Sequence, residues 1–155
     1  MTRTVSLAGG CACGSVRYTC SAPALVQLIC HCRDCQRASG SAVAACLVVP
    51  TDRLQLDGAA LKAHTLESAL GRTMRRLFCG TCGSPVAIVR PETPLVRFVH
   101  ASSLDDPSVF SPTCEVWVSR ASAWHPHLDS TVKFQEGPSP ETVGAPIAAY
   151  FAARD

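Results

Sequence analysis

Cys30-His31-Cys32-Arg33-Asp34-Cys35 places three thiols within one short turn, spaced C-x-C-x-x-C. Three thiolates this close can share one tetrahedral metal and leave its fourth corner free. A closed four-ligand zinc site is usually structural, whereas three protein ligands with an open position are the arrangement of catalytic zinc. The turn therefore reads as the functional centre, with other paired cysteines building its scaffold.

Those pairs are Cys11-x-Cys13 and Cys79-x-x-Cys82. Each is a half-site of two thiolates, and together they can make a four-thiolate tetrahedron that cross-links distant parts of the chain and contributes folding energy. Local order alone does not decide which pair meets which. The chain has ten cysteines in 155 residues. Disulfide frameworks suit small secreted domains. Here the first fourteen residues lack the unbroken apolar stretch of a signal peptide, and a C-x-C pair is poorly placed to bridge internally. Clustered pairs point to metal, and the chain reads as soluble and cytoplasmic.

The remaining cysteines are Cys20, Cys46 and Cys114. The first two read as buried core thiols, and Cys114, at the start of a late strand, is the one candidate for a fourth ligand to the triad. His31 lies inside the C-x-C, where an extended backbone turns its ring away from the neighbouring sulfurs; it reads as a residue behind the ligands or on the surface. Arg33, Gln36 and Arg37 are either solvated or suited to an anionic ligand. His64, His100, His125 and His127 are scattered and read as ordinary polar residues.

Short alternating segments dominate. Thr4–Leu7, Ser15–Cys20 and Leu25–Ile29 read as strands, the last delivering the chain to Cys30. Gln36–Gly40 can form one helical turn closed by Gly40. Ser41–Val49 is a buried strand ended by Pro50. Arg53–Leu56, Lys62–Leu66, Thr73–Phe78, Ser84–Val89, Pro94–Val99 and Cys114–Val118 continue the pattern, and beyond Ala121 the chain is rich in turns. Many short strands, frequent Gly and Pro and no long helical period predict an all-β fold of short antiparallel sheets. With no linker or repeat, residues 1–155 read as a single zinc-binding domain with its core at about 7–134.

Apolar residues make up 47% and charged residues 17%, which excludes a disordered chain. A net charge of +2 gives no electrostatic reason to expect a nucleic-acid or membrane partner. The longest apolar run, Ala42–Val49, is too short to span a bilayer.

Gly9-Gly10-Cys11-Ala12-Cys13-Gly14-Ser15-Val16-Arg17-Tyr18, the run Cys30–Gly40 and Phe78-Cys79-Gly80-Thr81-Cys82-Gly83-Ser84-Pro85 resemble the glutathione-dependent formaldehyde-activating enzyme family, also called the centromere-protein-V-like domain. Ser103–Pro107 and Ser119–Trp124 resemble its later pattern. The resemblance covers about Leu7 to Phe134. It implies a β-tent fold with two zinc ions, one structural on Cys11, Cys13, Cys79 and Cys82 and one on Cys30, Cys32 and Cys35. It also implies carbon–sulfur lyase chemistry, the reversible condensation of glutathione with formaldehyde to S-(hydroxymethyl)glutathione. The alternative is a non-catalytic zinc module that binds a thiol or a protein partner. In one place the chain departs from the family: where members usually carry a His in P-x-x-H-I, Pro112-Thr113-Cys114-Glu115-Val116 has Glu115. That residue reads either as a replacement base or as an exposed strand carboxylate.

Overall fold

The computed structural model describes residues 6–154 and divides the chain into two units, one from residues up to 24 and 47–110, the other from residues 25–46 and 111 onward. In the first unit β1 (Leu7–Gly10), β2 (Arg17–Cys20) and β5 (Leu54–Asp57) form an antiparallel sheet. In the same unit, β6 (Leu61–Glu67), β7 (Thr73–Cys79), β8 (Pro85–Val89) and β9 (Val96–His100) form an antiparallel meander. Val16, Val48, Val49 and Val86 are fully buried in this unit. A buried apolar run such as Leu47–Val49, with two β-branched valines, is what a central strand requires.

In the second unit β10 (Cys114–Val116) lies between β3 (Val26–Cys30) and β11 (Val132–Lys133) and runs parallel to both. The helix α1 (Arg33–Ser39) follows β3 directly. β4 (Ala44–Pro50) leaves this unit after Cys46. Trp117, immediately after β10, has φ 61°, a left-handed conformation that is costly for a bulky L-residue. It ends the strand and turns the chain into a 3-10 segment at Val118–Arg120.

The mostly β architecture agrees with the sequence pattern, and most strands fall where alternation placed them. Thr4 and Val5, half of the first expected strand, lie outside the described residues. Two local features differ from the sequence pattern. β1 runs on past Leu7, where the expected strand ends, through Gly9 and Gly10, because they pair with Tyr18 and Arg17. The turn-rich tail contains a helical end: Ser139 caps a π-helical turn at Pro140–Gly144, followed by α2 (Ala145–Ala152). Pro140 and Pro146 stand in first-turn positions, where a missing N–H costs nothing, so they do not act as breakers. No helix among the described residues is long and apolar enough to cross a membrane.

Candidate metal centres and the buried Glu115 cluster

Cys11, Cys13, Cys79 and Cys82 converge in the first unit, with all four sulfurs within 4.8 Å of one another. Cys13 Sγ lies 3.5 Å from Cys11 Sγ and 3.7 Å from Cys79 Sγ. The two halves are built alike. The Gly14 N–H donates to the Cys11 carbonyl at 3.1 Å, and the Gly83 N–H donates to the Cys79 carbonyl at 2.8 Å. Both glycines are left-handed, at φ 78° and 77°, which only a residue without Cβ adopts without strain. Each tight turn aims a backbone N–H at a sulfur, Val16 at Cys11 (3.2 Å) and Thr81 at Cys79 (3.4 Å). The Ser84 hydroxyl, 3.2 Å from Cys82 Sγ, and backbone N–H groups pull the Cys82 thiol down to about 5. Four convergent sulfurs with N–H donors behind them fit a tetrahedral thiolate metal.

Cys30, Cys32 and Cys35 converge in the second unit, again within 4.8 Å. Cys30 ends β3, Cys32 is the N-cap of α1 and Cys35 lies in its first turn. The Cys32 backbone is extended (φ −63°, ψ 149°), and its sulfur accepts the Cys35 N–H at 3.4 Å. Strand, cap and helix start therefore bring the sulfurs together without a long loop. Gly40 closes α1 in the left-handed conformation expected of it. Hydrogen bonds from the Cys30 and Cys35 thiols hold Cys32 down to about 2, while the hydrogen bonds with Cys32 and then Cys35 push the Cys30 thiol up. A set of three sulfurs fits a metal with one further position to fill.

Gln36, buried beside the triad, holds the turn in place. Its Nε2 donates to the His31 carbonyl at 2.6 Å and to the Arg120 carbonyl at 3.0 Å, and Arg33 donates to its Oε1. Cys20, Cys46 and Cys114 are buried and belong to neither cluster. Cys114, the suspected fourth ligand, instead pairs with Leu28 and Val132 inside the sheet.

Glu115 is not an exposed carboxylate. It is 1% exposed and accepts four hydrogen bonds. Oε1 takes the Leu128 N–H (2.8 Å) and the Thr131 hydroxyl (2.7 Å); Oε2 takes His31 Nε2 (2.7 Å) and His127 Nδ1 (2.6 Å). Burial alone would raise its pKa, but the bonds from Thr131, His127, His31 and Leu128 outweigh burial and hold it at about 2. His31 is completely buried, and burial lowers its pKa against the pull of Glu115. An ionised carboxylate only accepts, so the His31 ring hydrogen sits on Nε2 and Nδ1 is a bare lone pair. That atom has no hydrogen-bond partner among the described residues. His127, which reads in the sequence as an ordinary loop residue, is thus a half-exposed partner of the buried Glu115. Its signal is absent from the sequence because the contact joins a loop to a strand residue through tertiary packing.

The sequence model of the family "glutathione-dependent formaldehyde-activating enzyme" matches residues 6–120. The chain belongs to this family. All seven cysteines of the two clusters fall inside the stretch that matches this formaldehyde-activating enzyme family. A crystal structure of a Rhodobacter sphaeroides protein, a structural-genomics target, is similar with a TM-score of 0.51 at 21% identity, covering 63% of this chain and 87% of that one. At that identity the likeness concerns the fold. No curated protein matches the sequence.

Proposed function

We propose that the protein is a zinc-dependent carbon–sulfur lyase that condenses a small thiol such as glutathione with an aldehyde, as in S-(hydroxymethyl)glutathione formation. The observation that carries this reading is a three-sulfur cluster at a strand-to-helix turn in a chain of this enzyme family. Cys30, Cys32 and Cys35 hold the functional metal, and Cys11, Cys13, Cys79 and Cys82 hold the structural one. When bound at three thiolates, zinc supplies an open Lewis-acid position suited to a thiolate or a carbonyl oxygen. The thiol sulfur forms a bond to the aldehyde carbon, the carbonyl π pair becomes the hydroxyl, and the thiol proton ends on that oxygen.

The chain's own residues hold this arrangement. Gln36 fixes the His31 carbonyl between Cys30 and Cys32. Arg33 and Arg37 flank the triad in α1 and suit the carboxylates of a glutathione-like thiol. The free state of all ten cysteines is compatible with a reducing cytoplasm as the place of action.

Exchange NMR of formaldehyde and glutathione with the zinc-loaded protein should show faster adduct formation than without it; an unchanged exchange rate would sink the reaction. The replacement of the family's usual His by Glu115 favours one second reading, a zinc module that binds a thiol without turning it over. In that case glutathione binds while the exchange rate stays at its uncatalysed value.

A further inference from the structure

We propose that His31, Glu115 and His127 form a third metal site, separate from the cysteine clusters, for a divalent transition cation held by imidazole nitrogen and carboxylate oxygen. One carboxylate oxygen, Oε2, faces both His31 Nε2 at 2.7 Å and His127 Nδ1 at 2.6 Å, and the three donor atoms lie within 4.8 Å of one another. Two imidazoles and one carboxylate are a ligand set of catalytic zinc, and imidazole donors also suit iron(II), cobalt(II) and nickel(II).

The surroundings are those of a ligating carboxylate. Oε1, the oxygen turned away from the imidazoles, is fixed by the Thr131 hydroxyl and the Leu128 N–H. Hydrogen bonds of this kind orient metal ligands. Lys133 Nζ also stands on the Oε1 side, at 3.9 Å, and leaves Oε2 to the imidazoles. Glu115 and His31 are buried, whereas the His127 side chain is 38% exposed. A cation therefore has an entry side at His127.

Proton and distance accounting are both simple. Without metal, each imidazole donates its ring hydrogen to Oε2. On binding, the His127 hydrogen moves to Nε2 on the half-exposed ring, and the His31 hydrogen moves to Nδ1, where it meets no acceptor among the described residues, a cost that the metal–ligand bonds must exceed. Ligands about 2.0–2.2 Å from one tetrahedral ion stand roughly 3.3 Å apart. The imidazole nitrogens must part from Oε2 by roughly 0.6–0.7 Å relative to their hydrogen-bonded spacing. His127, in the irregular segment between the 3-10 turn and β11, is the residue placed to move.

The proposal is independent of any reaction at the cysteine triad. Its test is cobalt(II) titration of the full chain already carrying zinc on its cysteines, followed by visible absorption and calorimetry. The expected result is one further equivalent whose d–d bands appear without thiolate-to-cobalt charge-transfer absorption. His127→Ala, a change at a half-exposed side chain, should weaken that equivalent at least about tenfold, and Thr131→Val by about 10–100-fold. Glu115→Gln should abolish it; if that variant fails to fold, His127→Ala carries the test. The absence of a further equivalent, cobalt absorption that is entirely thiolate-type, or a further equivalent bound equally well by His127→Ala would each overturn the site and leave a hydrogen-bond network alone.

Discussion

The four-sulfur cluster of the first unit and the three-sulfur cluster of the second use the same ligand atom in different frames. The first joins two glycine-containing turns 66 residues apart, counting from Cys13 to Cys79, and each turn backs a sulfur with a backbone N–H. The second is local, spanning Cys30 to Cys35, and is held through Gln36. A cluster that ties distant segments together contributes to folding; one confined to a single turn is free to lose or gain a ligand. The lesson is that the span between ligands, more than their number, marks which site the fold depends on.

Cys79→Ser is the strongest way to break that contrast. Cys79 is fully buried, and loss of the closed site should destabilise the chain by more than about 5 kcal/mol, or roughly 10–20 °C in Tm. Cys32→Ser should stay folded, with a far smaller shift, and lose thiol binding. Equal melting losses would contradict the division of roles.

Glu115→Ala tests the frame behind the triad. It leaves two imidazoles and a backbone N–H without their acceptor, so chemical denaturation should show a loss of roughly 3–5 kcal/mol. Its folded pKa of about 2 lies below the ordinary carboxylate value of about 4.3, so its contribution is present above about 4.3 and is lost as pH falls through about 2.

Gln36→Leu sharpens the comparison further. It removes two donors at the turn, should cost about 2 kcal/mol, and should weaken metal binding at the triad while sparing the four-sulfur cluster. Site-resolved cobalt(II) spectra check this, and equal weakening at both clusters would count against it.

In the first unit, His100 supplies a pH-dependent contrast. Burial, with the Arg76 charge adding to it, lowers its pKa to about 4. It is neutral when folded, so its contribution is complete above the unfolded value of about 6.5 and declines as pH falls toward about 4. Between pH 7 and 5 the parent should lose about 2 kcal/mol more stability than His100→Gln, as measured by urea unfolding. Parallel losses would refute the assignment. Gly83→Ala should have the smallest effect, about 1–2 kcal/mol from left-handed strain alone, because an added Cβ there meets nothing within 4 Å.

Both cysteine clusters are legible in the sequence because their grouping is written in short spacings. The strands are legible because alternation is local and because Gly40 and the prolines punctuate it. The setting of Glu115 is not, because burial of a carboxylate is a tertiary property: its partner His31 is 84 residues away, and the parallel pairing of β10 with β3 that brings them together leaves no periodic trace. His127 escapes for the same reason. α2 escapes because prolines that mark turns elsewhere stand in its first turn and in the turn before it.

The central claim is that the triad holds a metal with one position left for a thiol, while the other cluster is closed. X-ray absorption at the zinc edge, on protein carrying two zinc per chain, tests it most directly. Without thiol the average sulfur number per zinc, the mean of four and three, should be three and a half; with saturating glutathione it should rise to four. A sulfur number that does not change on adding glutathione would contradict the account.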